Sequence, residues 1–346
     1  MNLTLRLIFL FLAILIATFA IGYRYVMLQM AEPLPIEVPI SLELKRGESI
    51  HHVARQLHQQ QVISSVKPFV YYARYMDKAH KIKAGEYLIE PGVTLSDVLD
   101  QLVEGRVIQY SITLVEGLTS AEFVKKLISE ERLEHFLKPD QVADLSKLMV
   151  LLGSDGVHPE GQFFPDTYFY HKGESDLDVL RRAHEKMQQV VAQEWQNRAK
   201  ELPYESAYEA LIMASIVEKE TGVESERSDI AAVFVSRLQK GMRLQTDPTV
   251  IYGLGANYQG NIKRKHLKQK TAYNTYVIKG LPPTPIANPG REAIHAALHP
   301  SDSDALYFVA KGDGSHAFSK TLAEHNKAVR QYQLKRRTDY RSAPQQ

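Results

Sequence analysis

The sequence of 346 residues contains no cysteine. This absence excludes disulfide bonds, catalysis by a thiolate, zinc sites with cysteine ligands and a lipid anchor attached to cysteine. Any part of the protein outside the cytoplasm must therefore be stabilised by the burial of apolar side chains, which a chain of this length permits.

An excess of charge of either sign is also missing. The 42 Lys and Arg residues and 40 Asp and Glu residues leave a formal net charge of +2. This balance produces no long-range field toward nucleic acid, and no nucleic-acid-binding motif occurs. A hydrophobic content of 44% and a charged content of 24% are instead typical of folded globular protein.

One long apolar run is present near the N-terminus. No charge occurs from Leu7 to Tyr23, and Arg6 and Arg24 flank the run. At about 1.5 Å per residue, a helix of this length spans or nearly spans a hydrocarbon core of about 30 Å. The alternative is a cleaved signal peptide ending near Ala20, but the run is long for one. We predict a cytoplasmic tail and an uncleaved transmembrane helix over residues 1–30, with the remainder in the periplasm.

A prolyl linker is predicted over residues 31–39, and a repeated pattern follows it. A short strand, a Gly turn, a Ser or Thr N-cap and an amphipathic helix occur in this order from Ile40, from Tyr87 and from Ile112. The first copy resembles a LysM module, a small carbohydrate-binding βααβ fold. Plain packing of strands on helices explains the pattern equally well, and the sequence does not decide between the two.

The helix predicted from about Ser206 to Thr221 differs from the others. Residues 210–217 are apolar on nearly every face, so we expect the helix to be buried, and Glu218 continues the face of Leu211 and Ala214. Burial and the negative end of the helix dipole both raise the pKa of such a carboxyl, which suits a general acid. A structural ion pair with Lys219, Arg227 or Arg237 is the alternative. Glu220 is predicted to point to the opposite side.

The stretch from Ala214 to Thr221 resembles the catalytic helix of the MltG/YceG-like endolytic murein transglycosylases. The similarity covers nearly the whole chain, and the departures at Ser236 and Thr284 do not touch the proposed acid. Further matching blocks are Val233-Phe234, Arg237-Leu238, Gly241 to Gly253, Ala272 to Tyr276, Gly280 to Pro283, Ile286 to Gly290, His299-Pro300, Leu306 to Ala310, His316 to Phe318 and Glu324 to Asn326.

The resemblance implies an α+β protein and a lyase that needs no cofactor or metal. It implies cleavage of the β-1,4 bond between N-acetylmuramic acid and N-acetylglucosamine of peptidoglycan strands, with formation of a 1,6-anhydro end that terminates strand elongation. Glu218 is then both acid and base, and peptidoglycan synthases are candidate partners. The expected domains are a LysM-like subdomain at 40–110, a catalytic domain at 111–335 and a flexible tail at 336–346.

Polar amides and aromatic rings in the matching blocks are candidates for sugar recognition. The alternatives are a turn or helix cap at Asp247-Pro248 and core positions for Tyr273 and Tyr276. Asp247 is also a candidate for orienting Glu218 or adjusting its pKa. The predicted substrate-binding residues are Gln245, Thr246, Asp247, Tyr273, Asn274 and Tyr276.

Three other functions stay open. A metal-dependent hydrolase would use His295 and His299, joined by His316 and His325, but the glutamate that follows the first histidine in zincins is missing. A non-catalytic scaffold would bind glycan and leave Glu218 structural. An inverting glycosidase would use Asp247 or Glu224 as its base.

Overall fold

The structure is a computed structural model that describes residues 3–137 and 145–334, so the tail predicted at 336–346 lies outside the described residues. The fold class is α+β, as predicted. The chain forms two compact units. The N-terminal unit comprises Met1–Ser111, Arg132–Glu134 and Phe169–Glu174, and the larger unit comprises Ile112–Glu131, His135–Tyr168 and Ser175–Gln346.

The N-terminal unit begins with helix α1 (Leu3–Ala31), which is long and apolar enough to cross a membrane. None of its most apolar stretch is buried. Only its end joins the core of the unit, where Met30 is buried and Val26 and Met27 pack alongside. The segment predicted as a linker also contacts this core, because Leu34 is buried and its N–H donates to the carbonyl of Val93 at 2.8 Å.

The rest of this unit consists of β1 (Ile40–Leu44), α2 (Ile50–Gln59), α3 (Val66–Tyr75), β2 (Gly85–Ile89) and α4 (Leu95–Glu104). β1 and β2 pair antiparallel, with Ile40 opposite Ile89 and Leu44 opposite Gly85. The order strand, helix, helix, strand is the one expected of a LysM module. The assignment to that module stays a prediction.

The repeated pattern of the sequence is confirmed in its local structure. Ser49, Thr94 and Thr119 are the N-caps of α2, α4 and α5 (Ser120–Ile128). Strand β3 (Tyr110–Thr113) precedes α5 and pairs with β4 (Thr167–Tyr170). A glycine with positive φ lies between strand and helix in each copy, because the sharp turn requires a left-handed residue.

Helix α8 (Ala207–Glu220) occupies the centre of the larger unit. Every residue from Ala210 to Val217 is buried, as the sequence predicts, and α8 packs on α7, α9 and α12. The larger unit also contains the hairpin of β5 (Tyr307–Ala310) and β6 (His316–Ser319). Its other helices are α6 (Ser146–Leu151), α7 (Asp176–Gln196), α9 (Arg227–Gln239), α10 (Asp247–Leu254), α11 (Arg264–Lys268), α12 (Arg291–Leu298) and α13 (Leu322–Val329).

Candidate active site

Glu218 lies in the last turn of α8 and is partly buried. The helix ends two residues later, at Glu220, because Thr221 has an extended backbone. The N–H of Gly290 donates to Oε2 of Glu218 at 3.0 Å. One carboxyl oxygen is therefore fixed by the backbone.

The surroundings of Glu218 favour its protonated form. Burial raises the pKa of Glu218 above its ordinary value, and the carboxylate of Glu116 raises it further. The hydrogen bond from Gly290 and the positive charges of Arg227 and Lys219 oppose this rise. Lys219 is held away from the carboxyl by its own hydrogen bond to the carbonyl of Gly117, at 3.0 Å. The positive charges that the ion-pair alternative invokes therefore offset only part of the rise in the pKa of Glu218 that burial causes.

Asn288 positions the loop that carries Glu116. Its backbone accepts from the N–H of Gly117 and donates to the carbonyl of Leu118, both at 2.9 Å. Its buried side chain donates to the same carbonyl at 3.1 Å and accepts from the N–H of Phe163 at 3.0 Å. The segment from Asn288 to Gly290 therefore joins two distant loops next to Glu218.

Glu218 opens into a cleft with a volume of about 750 Å³ in the larger unit. Three of the predicted substrate-binding residues line this cleft, namely Gln245, Asp247 and Tyr276. Asp247 begins α10, and its Oδ1 accepts a hydrogen bond from the hydroxyl of Tyr276 at 2.7 Å. Asp247 is thus both a residue of the first helical turn and part of the cleft wall.

Glu220 lines the same cleft as Glu218, although its position on the helix predicts a different direction for its side chain. The two side chains leave the helix in different directions, but α8 ends inside the cleft and both carboxyls reach it. Burial raises the pKa of Glu220 to about 7, the hydroxyl of Thr246 opposes this rise by donating to Oε1, and Asp247 adds to it. Thr246 is buried beneath the cleft and supports this second carboxyl.

Gln245 has a left-handed backbone, with φ of 56°. A side chain other than glycine adopts this conformation at a cost of about 1–2 kcal/mol, and such residues concentrate at functional sites. Its backbone N–H donates to the carbonyl of Thr275 at 3.3 Å, which fixes the conformation.

The structure does not bring Tyr273 and Asn274 to the cleft wall. The hydroxyl of Tyr273 is 2.9 Å from Oγ1 of Thr284, and its ring packs edge-on against Tyr252. Asn274 is buried, and its amide donates to the carbonyls of His266 and Gln269 at 3.0 and 2.7 Å. Tyr273 therefore has the packing position that the sequence left open, and Asn274 holds a loop.

The opposite wall contains residues that the sequence did not single out for this site. The guanidinium of Arg237 lies 5.1 Å from the ring centre of Tyr307, which stacks on His325 at 5.2 Å. Nδ1 of His316 is 2.8 Å from Oε2 of Glu226. Apart from Glu226, these residues lie in matching blocks of the sequence, but only the fold brings the hairpin to the end of α8.

Comparison with known proteins places this site in a family. The model of the YceG-like family matches residues 42–331. A relative from Bacillus subtilis (strain 168), named endolytic murein transglycosylase, is 33% identical over 85% of this chain and 84% of its own. This chain belongs to the YceG-like family.

Two further similarities agree with this assignment. A relative of the same name from Streptococcus pneumoniae (strain ATCC BAA-255 / R6) is 26% identical over 93% of this chain, which spans 64% of that relative. A crystal structure of a YceG-like protein from Listeria monocytogenes has a TM-score of 0.55 and 32% identity, over 84% of this chain and 99% of that one. The YceG-like fold therefore extends over most of the chain.

The histidines of the metal hypothesis are divided between two places in this YceG-like chain. Among the described residues, Glu194, His295 and His299 have potential ligand atoms within 4.8 Å of one another, whereas His316 and His325 line the cleft. Glu194 already accepts from Arg291 at 2.8 Å, and the rings of His295 and His299 stack at 4.2 Å. Nδ1 of His295 is 2.9 Å from Oε2 of Glu194 and Nε2 of His299 is 2.8 Å from the carbonyl of Asn197, so these ligand atoms already have partners in the protein.

Proposed function

We propose that this protein is an endolytic lytic transglycosylase of peptidoglycan and that Glu218 is its single acid and base. The observation that carries the proposal is the partly buried carboxyl of Glu218, with its raised pKa, at the mouth of a cleft. The relatives named endolytic murein transglycosylase support the substrate class.

The proposed reaction begins with Glu218 in its protonated form. Because Oε2 accepts the N–H of Gly290, the proton is on Oε1. Oε1 donates this proton to the glycosidic oxygen between N-acetylmuramic acid and N-acetylglucosamine, and the bond to C1 breaks. Acid catalysis of this kind contributes about 10²–10⁴ in rate.

The second half of the reaction uses the same carboxylate as a base. The C6 hydroxyl of the muramic residue attacks C1, and Glu218 accepts the proton that the hydroxyl loses. The product is a 1,6-anhydro ring, and no water molecule has to be positioned. A second catalytic carboxylate of the kind found in ordinary glycosidases is therefore not required.

We assign the floor of the sugar-binding groove to Gln245, Asp247 and Tyr276, which line the cleft with Glu218. The amide and the hydrogen-bonded pair of Asp247 and Tyr276 suit the hydroxyl and acetamido groups of a glycan. Thr246 acts from below, through its hydrogen bond to Glu220.

A hydrolase is the second candidate, because Glu220 and Asp247 place two more carboxyls in the same cleft. In that case one of them activates a water molecule, and the product is a reducing end. Glu224 is exposed and does not line the cleft, so it is not part of this alternative.

The proposal includes the location of the protein and its role in the cell. α1 is retained as a single transmembrane helix of the inner membrane, with the larger unit in the periplasm. From there the enzyme cuts nascent strands and terminates their elongation, in contact with peptidoglycan synthases. A glycan-binding scaffold without activity would tolerate loss of Glu218, and this separates it from the enzyme.

The test is mass spectrometry of products from uncrosslinked peptidoglycan strands incubated with wild type, Glu218→Gln and the matched control Glu224→Gln. We expect internal cuts with 1,6-anhydro ends from wild type and control, and none from folded Glu218→Gln. Reducing ends would establish the hydrolase in place of the transglycosylase. Glycan binding without cleavage by the wild type would establish the scaffold.

A further inference from the structure

We propose that one face of α3, carrying Lys67, Tyr71, Arg74 and Tyr75, lies in the phospholipid headgroup layer of the membrane that α1 crosses. The inference rests on the proposed retention of α1 as a membrane anchor. It adds a second membrane contact, made by the N-terminal unit itself. We call the four residues the α3 stripe.

The α3 stripe is a single face of the helix. At 100° per residue, the four positions fall within about 100° of the helix circumference. Tyr71 and Tyr75 expose 59% and 69% of their surface, whereas Phe69 and Ala73 on the other side are fully buried. Two large aromatic rings, flanked by Lys67 and Arg74, are therefore presented outward together.

The ring of Tyr75 fixes the height of this face relative to α1. It packs edge-on against the ring of Tyr23, with a distance of 6.1 Å between ring centres. The uncharged run from Leu7 to Tyr23 is about 25 Å long as a helix, against a hydrocarbon core of about 30 Å. Arg24 ends this run directly after Tyr23, so Tyr23 lies at the outer end of the apolar run, where the headgroup layer begins, and Tyr75 is at the same level.

The connection between α1 and this unit keeps the stripe at that height. Met30 is 2% exposed in the core of the N-terminal unit, and Val26 and Met27 pack against the same core. The N–H of Glu32 donates to the carbonyl of Leu28 at 3.0 Å, so helical hydrogen bonding continues to the end of α1. The N-terminal unit is an extension of the anchor and not a domain on a free tether.

The chemistry of the stripe fits lipid headgroups. Tyrosine is enriched at membrane interfaces, because its ring enters the acyl boundary while its hydroxyl stays hydrated. Lys67 and Arg74 suit the phosphates of anionic phospholipids. A protein partner would also accept exposed aromatic rings, but it would not require them to be level with the end of the anchor.

The experiment measures how deeply the stripe enters the bilayer. The sole tryptophan of the chain is replaced by Trp195→Phe, and Tyr71→Trp, Tyr75→Trp or the control Leu88→Trp is then introduced into the full chain. Leu88 is 41% exposed on β2, outside the stripe. The proteins are reconstituted in vesicles of phosphatidylethanolamine and phosphatidylglycerol that carry bromine near the headgroup end of the acyl chains.

We expect the brominated lipid to quench emission by about half for Tyr71→Trp and Tyr75→Trp and to leave Leu88→Trp nearly unchanged. Equal quenching of all three variants, in vesicles from which carbonate does not extract the chain, would overturn the inference and leave the anchor intact. Extraction of the chain by carbonate would overturn both the anchor and the inference. Cleavage of peptidoglycan strands by the protein in these vesicles tests the proposed enzyme separately.

A charge-reversed form tests the role of the basic pair. Lys67→Glu with Arg74→Glu, in the Tyr71→Trp background, is expected to reduce the quenching by about half in these anionic vesicles. Unchanged quenching would overturn the assignment of anionic headgroups as the partner of Lys67 and Arg74.

Discussion

The N–H of Gly290 donates to Oε2 of Glu218 at 3.0 Å across 72 positions of sequence. Gly290 is the N-cap of α12, so the positive end of that helix faces the carboxyl. The negative end of α8 and the carboxylate of Glu116 act in the opposite direction. The N-terminus of α12 therefore orients the carboxyl of Glu218, but it does not fully stabilise the ionised form of that carboxyl.

Gly290→Ala is expected to lower cleavage only about two- to threefold, because the side chain that the new methyl group displaces is the exposed end of Glu116. The backbone of Gly290, with φ of −76°, accepts alanine, but the added Cβ would overlap the carboxylate of Glu116. Removing that carboxylate in Glu116→Ala/Gly290→Ala should recover most of the lost activity. Single-turnover rates of the two single variants and the double variant measure this coupling, and additive losses would contradict the steric explanation.

Glu116→Gln should shift the pH dependence of cleavage. The negative charge of Glu116 raises the pKa of Glu218. Without it, Glu218 loses its proton at lower pH, so the alkaline limb of the profile of kcat/KM moves toward lower pH. An unchanged alkaline limb would mean that Glu218 is not the group whose proton limits the reaction.

Glu220→Gln should change the pH dependence of stability. Burial raises the pKa of Glu220 from 4.5 to about 7, so the folded protein binds more protons than the unfolded chain between these values. The free energy of unfolding of the wild type therefore falls as the pH rises through this window. We expect Glu220→Gln to gain on the order of 2 kcal/mol relative to wild type between about pH 5 and pH 8.

Chemical unfolding in detergent at a series of pH values checks this expectation for Glu220. Glutamine still accepts the hydroxyl of Thr246, so the hydrogen bond is retained as a control. A constant difference between variant and wild type would contradict the raised pKa.

Asn274→Ala and Tyr276→Phe should separate stability from substrate binding. Asn274 is buried and donates to two loop carbonyls, so its loss should lower stability by about 2–3 kcal/mol. Tyr276→Phe removes the hydroxyl that donates a hydrogen bond to Asp247 at the cleft. We expect KM to rise with little change in melting temperature. Melting temperatures and KM values are measured for both variants. An Asn274→Ala variant that is stable but has a raised KM would show that Asn274 belongs to the substrate-binding groove.

Treatment with a chelator should leave cleavage unchanged. The described cluster of Glu194, His295 and His299 does not line the cleft, and Glu194 is already bonded to Arg291. Activity after EDTA, with and without added Zn²⁺, measures this. Loss of activity that Zn²⁺ restores would require a metal in the reaction.

The parts of the fold that depend on local pattern were predictable from the sequence. The buried centre of α8 followed from its uniformly apolar residues, and the N-caps at Ser49, Thr94 and Thr119 followed from their place before amphipathic helices. The ends of α8 were predicted to within one residue, but the position of its last turn in the cleft was not. Glu220 reaches the cleft because α8 stops inside it, and no periodicity along a helix contains that information.

Long-range contacts were the other part that the sequence could not supply. Gly290 and Glu116 belong to loops whose spacing from Glu218 in the chain says nothing about their distance in space. Tyr273 and Asn274 illustrate the reverse error: polar and aromatic side chains in the same sequence block as the cleft residue Tyr276 are used for packing and for holding a loop. The family resemblance identified the segments but not which of their side chains face the cleft.

The joining of distant segments by Asn288 has a consequence for timing. The loops at 116–120 and 160–163 meet the end of α8 only in the complete fold of the larger unit. Until then the Glu218 carboxyl is hydrated and has the acidity of any surface glutamate, so at neutral pH it holds almost no proton. If Glu218 is the acid, as proposed, a chain that has not finished folding cannot cleave glycan.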